Sequence, residues 1–127
     1  MNLLKDLQNE LNVSYLLIAH DLGTVRYMCK WVAVMYLGEI VELAEARELF
    51  NNPLHPYTKA LMSAALPSHP DMEQEEIILT GEVPSPLNPP SGCYFHPRCP
   101  AVMDRCSVDN PETKEISPGH SLSCHLF

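Results

Sequence analysis

Cationic residues are scarce: Lys and Arg together number 8 against 16 Asp and Glu, a formal net charge of -8. No basic stripe runs along the chain, and such a balance argues against binding nucleic acid through its phosphates. Long apolar runs are also missing. No stretch approaches the roughly 20 residues needed to cross a bilayer, and residues 1–12 lack the cationic start and apolar centre of a signal peptide. Glycine is rare as well, with Gly23, Gly38, Gly81, Gly92 and Gly119 making up the whole complement of 5. None of them is followed by lysine. A phosphate-cradling loop of the form GxxxxGK followed by Ser or Thr is therefore absent.

The chain has 127 residues, of which 46% are hydrophobic, enough for one modest core. Its 5 cysteines sit in an acidic chain with no export signal, where thiols stay reduced and serve metal or redox chemistry more readily than disulfides. Most of the 12 prolines fall after Ser63, and that bias divides the chain in two.

In the first part Leu3, Leu4, Leu7 and Leu11 recur at helical spacing, which predicts an amphipathic helix over Asn2 to Leu11. Val13 to Ala19 reads as a buried strand. Asp21 is placed to cap a helix with apolar positions Leu22, Val25 and Met28. The stretch "WVAVMYLGEIVELA" predicts a hairpin turning near Leu37 and Gly38. Glu45 to Phe50 reads as helix, stopped by Asn51, Asn52 and Pro53, and Pro56 opens another running to Leu66. His55 and Tyr57 around that start read as capping and packing residues. Cys29, remote from the other thiols, reads as a small buried hydrophobe.

Ser68 to Ile77 is polar and acidic, and "EVPSPLNPPSG" over Glu82 to Gly92 predicts an extended segment. From Cys93 onward come four cysteines, with five, six and seventeen residues between them: Cys93, Cys99, Cys106 and Cys124. Large aliphatics are few here, so a metal staple is expected. No CxxC pair is present, which disfavours structural zinc without excluding it. Pro100 directly after Cys99 is reminiscent of the Cys-Pro end of ferredoxin-type runs. His96, His120 and His125 flank the thiols and could replace one or donate to cluster sulfurs.

His20 follows the expected strand in "SYLLIAHDLGTVRYM". An imidazole at a strand end can donate to a phosphate or orient a water, or simply satisfy a backbone carbonyl. The run from "LNVSYLLIAHDLG" to "LMSAALP" resembles the end of an ABC transporter nucleotide-binding domain. "NPLHPYTKAL" and "LTGEVPSPLNPPSGCYFHPRCP" resemble the C-terminal extension in ATP-binding subunits of dipeptide and oligopeptide importers. The resemblance covers the whole chain but only the last third or so of such a subunit, and Met1 reads as an internal or mispredicted start.

The resemblance implies an α/β fold, with residues 1–66 closing an ABC-type ATPase domain and residues 67–127 forming an irregular Pro-rich, Cys-containing extension. It implies that His20 is the switch histidine contacting the ATP γ-phosphate, catalytic only within a complete subunit that supplies ATP, Mg2+ and the Walker A, signature and Walker B motifs missing here. The isolated chain is then expected to hold ATP negligibly. Cys93, Cys99, Cys106 and Cys124 are expected to ligate a 4Fe-4S cluster, with Zn2+ as the alternative. Implied partners are a second ATPase subunit, transmembrane permease subunits and, indirectly, a peptide-binding protein, at the cytoplasmic face of the membrane. Two other readings stand beside this one: a free-standing iron-sulfur or zinc module on an ABC-like scaffold, and an adaptor pairing with another ATPase subunit.

Overall fold

The computed structural model describes residues 2–65 and 77–127. The expected acidic linker lies outside them except for Ile77, as do Leu66 and the expected stop at Pro67. Helix α1 spans Asn2–Leu11, α2 Leu22–Met28, α3 Ala46–Asn51 and α4 Pro56–Ala65. Strands β1 (Trp31–Tyr36), β2 (Glu39–Glu45), β3 (Thr113–Ser117) and β4 (His120–Ser123) form one four-stranded sheet in the order β1-β2-β4-β3. Every pairing in it is antiparallel. The fold is mixed α/β around this sheet.

The hairpin forms as its alternation dictates. Val32, Val34 and Tyr36 point inward while Trp31, Ala33 and Met35 point out. The connection uses Leu37 at φ 47 and Gly38 at φ 87, the pair of positive values that a two-residue turn needs to match strand twist. No heavy atom would crowd a Cβ at Gly38, so glycine serves backbone conformation there and not space. Helix α1 stops at Asn12, whose φ of 51 is the left-handed conformation asparagine tolerates after a helix. Its attachment to α2 is polar: Lys5 Nζ donates to the Tyr27 carbonyl at 3.2 Å and Tyr27 OH to Asn2 Oδ1 at 3.0 Å.

The strand expected over Val13 to Ala19 does not form. The segment is irregular and exposed, with Leu16 at 92% and Ile18 at 90% of their full accessibility. A strand exists only through its hydrogen-bonded neighbours, and the sheet contains β1 to β4 alone. The apolar run is therefore a strand sequence without a strand beside it.

The cysteine-bearing segment is better anchored than its composition suggests. Phe95, fully buried, joins the core with Val25, Val34, Tyr36, Leu49 and Met62. Its ring stands edge-on to Tyr36 at 5.2 Å and tilted to Tyr57 at 5.3 Å, contacts that aromatic pairs favour. Leu122, also fully buried, sits opposite Glu42 as β4 pairs with β2. One aromatic, one leucine and an added pair of strands thus do part of what was expected of a metal staple.

Candidate functional site

His20 sits in the bend that closes the irregular segment and is exposed. The adjacent Asp21 caps α2 as expected. Its Oδ1 accepts from the Gly23 N–H at 3.0 Å and its Oδ2 from the Thr24 hydroxyl at 2.6 Å. These bonds hold its carboxyl below the usual value, the Thr24 hydroxyl contributing most. The cap fixes the turn, and the His20 side chain makes no hydrogen bond among the described residues.

A second cluster lies under the sheet. Glu42 is entirely buried on β2, where β2, β4 and the loop before α4 meet. Its carboxylate accepts from the Leu54 N–H at 2.8 Å, the His55 N–H at 3.0 Å and the His120 Nε2 at 2.7 Å. Three donors satisfy one buried acceptor, which offsets its desolvation. His120 Nδ1 points toward Glu48 Oε1 at 3.7 Å, outside hydrogen-bond range. His55 caps α4 by accepting the Tyr57 N–H on Nδ1 at 3.1 Å, so that nitrogen carries no proton. Burial pushes the His55 imidazole down to about 4, against the opposing pull of Glu42. His55 and Tyr57 are thus capping and packing residues, as their spacing indicated.

The histidines read as companions of the thiols have other work. His120 belongs to Glu42, His96 Nδ1 pairs with the Cys93 carbonyl at 2.9 Å, and His125 Nε2 with the Asp109 carbonyl at 2.9 Å. Sequence reasoning missed Glu42. Glu42 stands opposite the inward-facing Val34 and shares that face with Ala44, while a register shift between Val34 and Met35 puts Ile40 beside Met35 on the exposed side, so parity along β2 alone does not reveal it.

The four cysteines of the last segment are brought into one region by two tight turns and β4. The Cys93 N–H donates to the Cys106 carbonyl at 2.8 Å. Gly92, at φ 66, makes that approach possible: a Cβ there would collide with the Cys106 carbonyl oxygen and stand 2.8 Å from the Ser107 carbonyl carbon. Burial raises the Cys93, Cys99 and Cys124 thiols above their ordinary value, and neighbouring thiols add to the effect. Backbone N–H groups oppose it, from Phe95 onto Cys93, Ala101 onto Cys99 and Leu126 onto Cys124. Each of these donors lies two residues beyond its cysteine. Among the described residues no three His, Cys, Asp or Glu side chains gather closely enough to hold one metal ion. The expected staple is therefore not assembled as a single-ion site. Cys29 packs against the core apart from this group.

Among the described residues no helix is long and apolar enough to cross a membrane. The chain is 48% identical over 129 residues to the oligopeptide transport ATP-binding protein AppF of Bacillus subtilis, covering 100% of this chain and 39% of that protein. It is 48% identical over 124 residues to a putative peptide import ATP-binding protein of Brucella ovis, covering 98% of this chain and 39% of the relative. Identity to a probable peptide ABC transporter ATP-binding protein of Sinorhizobium fredii is 49% over 126 residues, or 99% of this chain and 36% of the relative. The chain thus spans less than half the length of the curated relatives it matches. Residues 41–106, which hold Glu42, His55 and three of the four grouped cysteines, match the family described as oligopeptide/dipeptide transporter, C-terminal region, and the chain belongs to that family.

Proposed function

We propose that the chain is the C-terminal part of an ATP-binding subunit that energises peptide uptake through an ABC importer. The observation that carries this is the match to peptide-import ATP-binding proteins along the entire chain. In this reading residues 1–66 complete an ABC-type ATPase domain and residues 67–127 form its Pro-rich, cysteine-bearing extension. ATP, Mg2+ and hydrolysis belong to the complete subunit, since no phosphate-cradling glycine-lysine motif occurs here. His20, held free at a capped turn, would donate to the γ-phosphate. The exposed run from Val13 to Ala19 would find its strand neighbours in the preceding part of that domain. The partners are a second ATPase subunit and membrane-embedded permease subunits, with a peptide-binding protein acting through them, at the cytoplasmic face of the membrane.

A direct test replaces the matching C-terminal segment of the Bacillus subtilis oligopeptide subunit with this chain. ATP-driven peptide uptake is expected to persist. Uptake no higher than in cells lacking the subunit, from a hybrid that accumulates normally, overturns the reading.

Cys93, Cys99, Cys106 and Cys124 would ligate a 4Fe-4S cluster, whose bound form supplies one-electron chemistry or a rigid cross-link. Zinc asks four ligands to meet within about 2.3 Å of one point. A cluster gives each thiolate its own iron, so its ligands surround a space instead. The support for this reading is that the four thiols lie in one region and that the backbone N–H groups of Phe95, Ala101 and Leu126 bear on three of them. Protein purified without oxygen is expected to be brown, with about four iron and four sulfide per chain. One zinc without sulfide, or neither metal, overturns the assignment.

A further inference from the structure

Between the end of α2 and α3 lies a cleft of about 440 Å³ whose lining includes Arg26, Lys30, Arg47, Phe50, Asn51 and Glu45. That volume falls in the range of small-molecule sites. The chain has 8 cationic residues in all and a net charge of -8, yet three of those cations line this one cavity. Among the described residues none of the three has a carboxylate within ion-pair distance. Glu45 is the single carboxylate in the lining, so the cleft is locally positive on a chain that repels anions elsewhere.

Its walls are fixed. The Ala46 N–H donates to the Lys30 carbonyl at 2.8 Å, joining the start of α3 to the residue before β1. Ala46 is buried and belongs to the core. The Arg26 guanidinium stands over the Phe50 ring at 5.8 Å, an arrangement that steadies a planar cation. Two guanidinium groups and an ammonium suit a phosphate dianion, the guanidiniums by paired donors and the ammonium as a point charge. A bare phosphate leaves the rest of the cavity unused. Asn51 and Glu45 add an amide and an acceptor suited to hydroxyl groups, and the Phe50 ring offers an apolar surface.

We infer that the cleft between α2 and α3 binds a phosphorylated sugar or polyol. The phosphate is held by Arg26, Lys30 and Arg47, and the hydroxyl groups are read by Glu45 and Asn51. The site is separate from His20 and uses none of the four grouped cysteines. It stands whether or not the importer reading holds.

Calorimetric titration of the whole chain with glucose 6-phosphate, at low salt, tests this. One saturable site per chain is expected, with inorganic phosphate and glucose each binding roughly tenfold more weakly or worse. Arg47→Gln, an exposed substitution that leaves the core untouched, is expected to weaken binding by roughly tenfold. Arg26→Gln with Lys30→Gln should abolish it while far-ultraviolet dichroism stays unchanged. His20→Ala should bind as the parent does. Absence of saturable heat overturns the proposal, as does binding that survives loss of the cations or disappears with His20→Ala. Equal affinity for inorganic phosphate overturns the assignment of the sugar.

Discussion

Replacing Glu42 with alanine is expected to cost about 3–5 kcal/mol, the usual penalty for removing one member of a buried, charged hydrogen-bonded set. That is a large share of the roughly 5–15 kcal/mol by which domains are stable. The reason is the number of groups orphaned. The N–H groups of Leu54 and His55 and the Nε2 of His120 all donate to this carboxylate, which is fully buried. Urea unfolding followed by dichroism should show a much lower midpoint, or no cooperative transition. His120→Ala should cost less, because Glu42 keeps both backbone donors. A Glu42→Ala midpoint matching a loss under about 1 kcal/mol would sink the idea that Glu42 clamps the loop before α4 to β4.

In a complete ATP-binding subunit carrying this segment, His20→Ala is expected to lower ATP turnover on the order of 100-fold or more, the typical cost of losing one preorganised donor to the transition state. Nucleotide affinity should change little, because a group acting on charge developed during the reaction contributes to turnover and not to ground-state binding. The imidazole is exposed while its neighbour Asp21 spends both carboxylate oxygens holding the turn. Turnover and nucleotide affinity measured on the same preparations separate the outcomes. Parental turnover returns His20 to the role of a surface histidine, and equal losses in both quantities mean the substitution damaged the site and not the step.

Elements specified by their own residues were readable in the sequence. Asp21 announced α2, Pro56 announced α4, and the alternation from Trp31 with Leu37 and Gly38 announced the hairpin. Elements that depend on a distant partner were not. Thr113–Ser117 is exposed along its whole length, so no apolar period marks β3, and β4 is visible only once β2 is known to lie beside it. Val13 to Ala19 failed in the opposite way: its composition suits a strand, but β propensity expresses packing against neighbours and is silent without them. Glu42 was hidden because a glutamate in an amphipathic strand ordinarily faces water. The thiols were legible as a group from spacing, whereas the absence of a single-ion arrangement among the described residues, and the commitment of His96, His120 and His125 to other acceptors, required the fold.

The sheet order gives synthesis a timetable. His120 and Glu42, which meet at 2.7 Å, are 78 residues apart in the chain. At translation rates of about 5–20 residues per second, β2 leaves the ribosome roughly 4–16 s before the strand that covers its edge. Throughout that interval the hairpin presents an unpaired edge and an uncompensated glutamate to solvent. Chaperone occupancy should therefore concentrate on nascent chains that end between the hairpin and β4, and a premature stop just ahead of His120 should yield a product destroyed more thoroughly than the loss of so few residues would suggest.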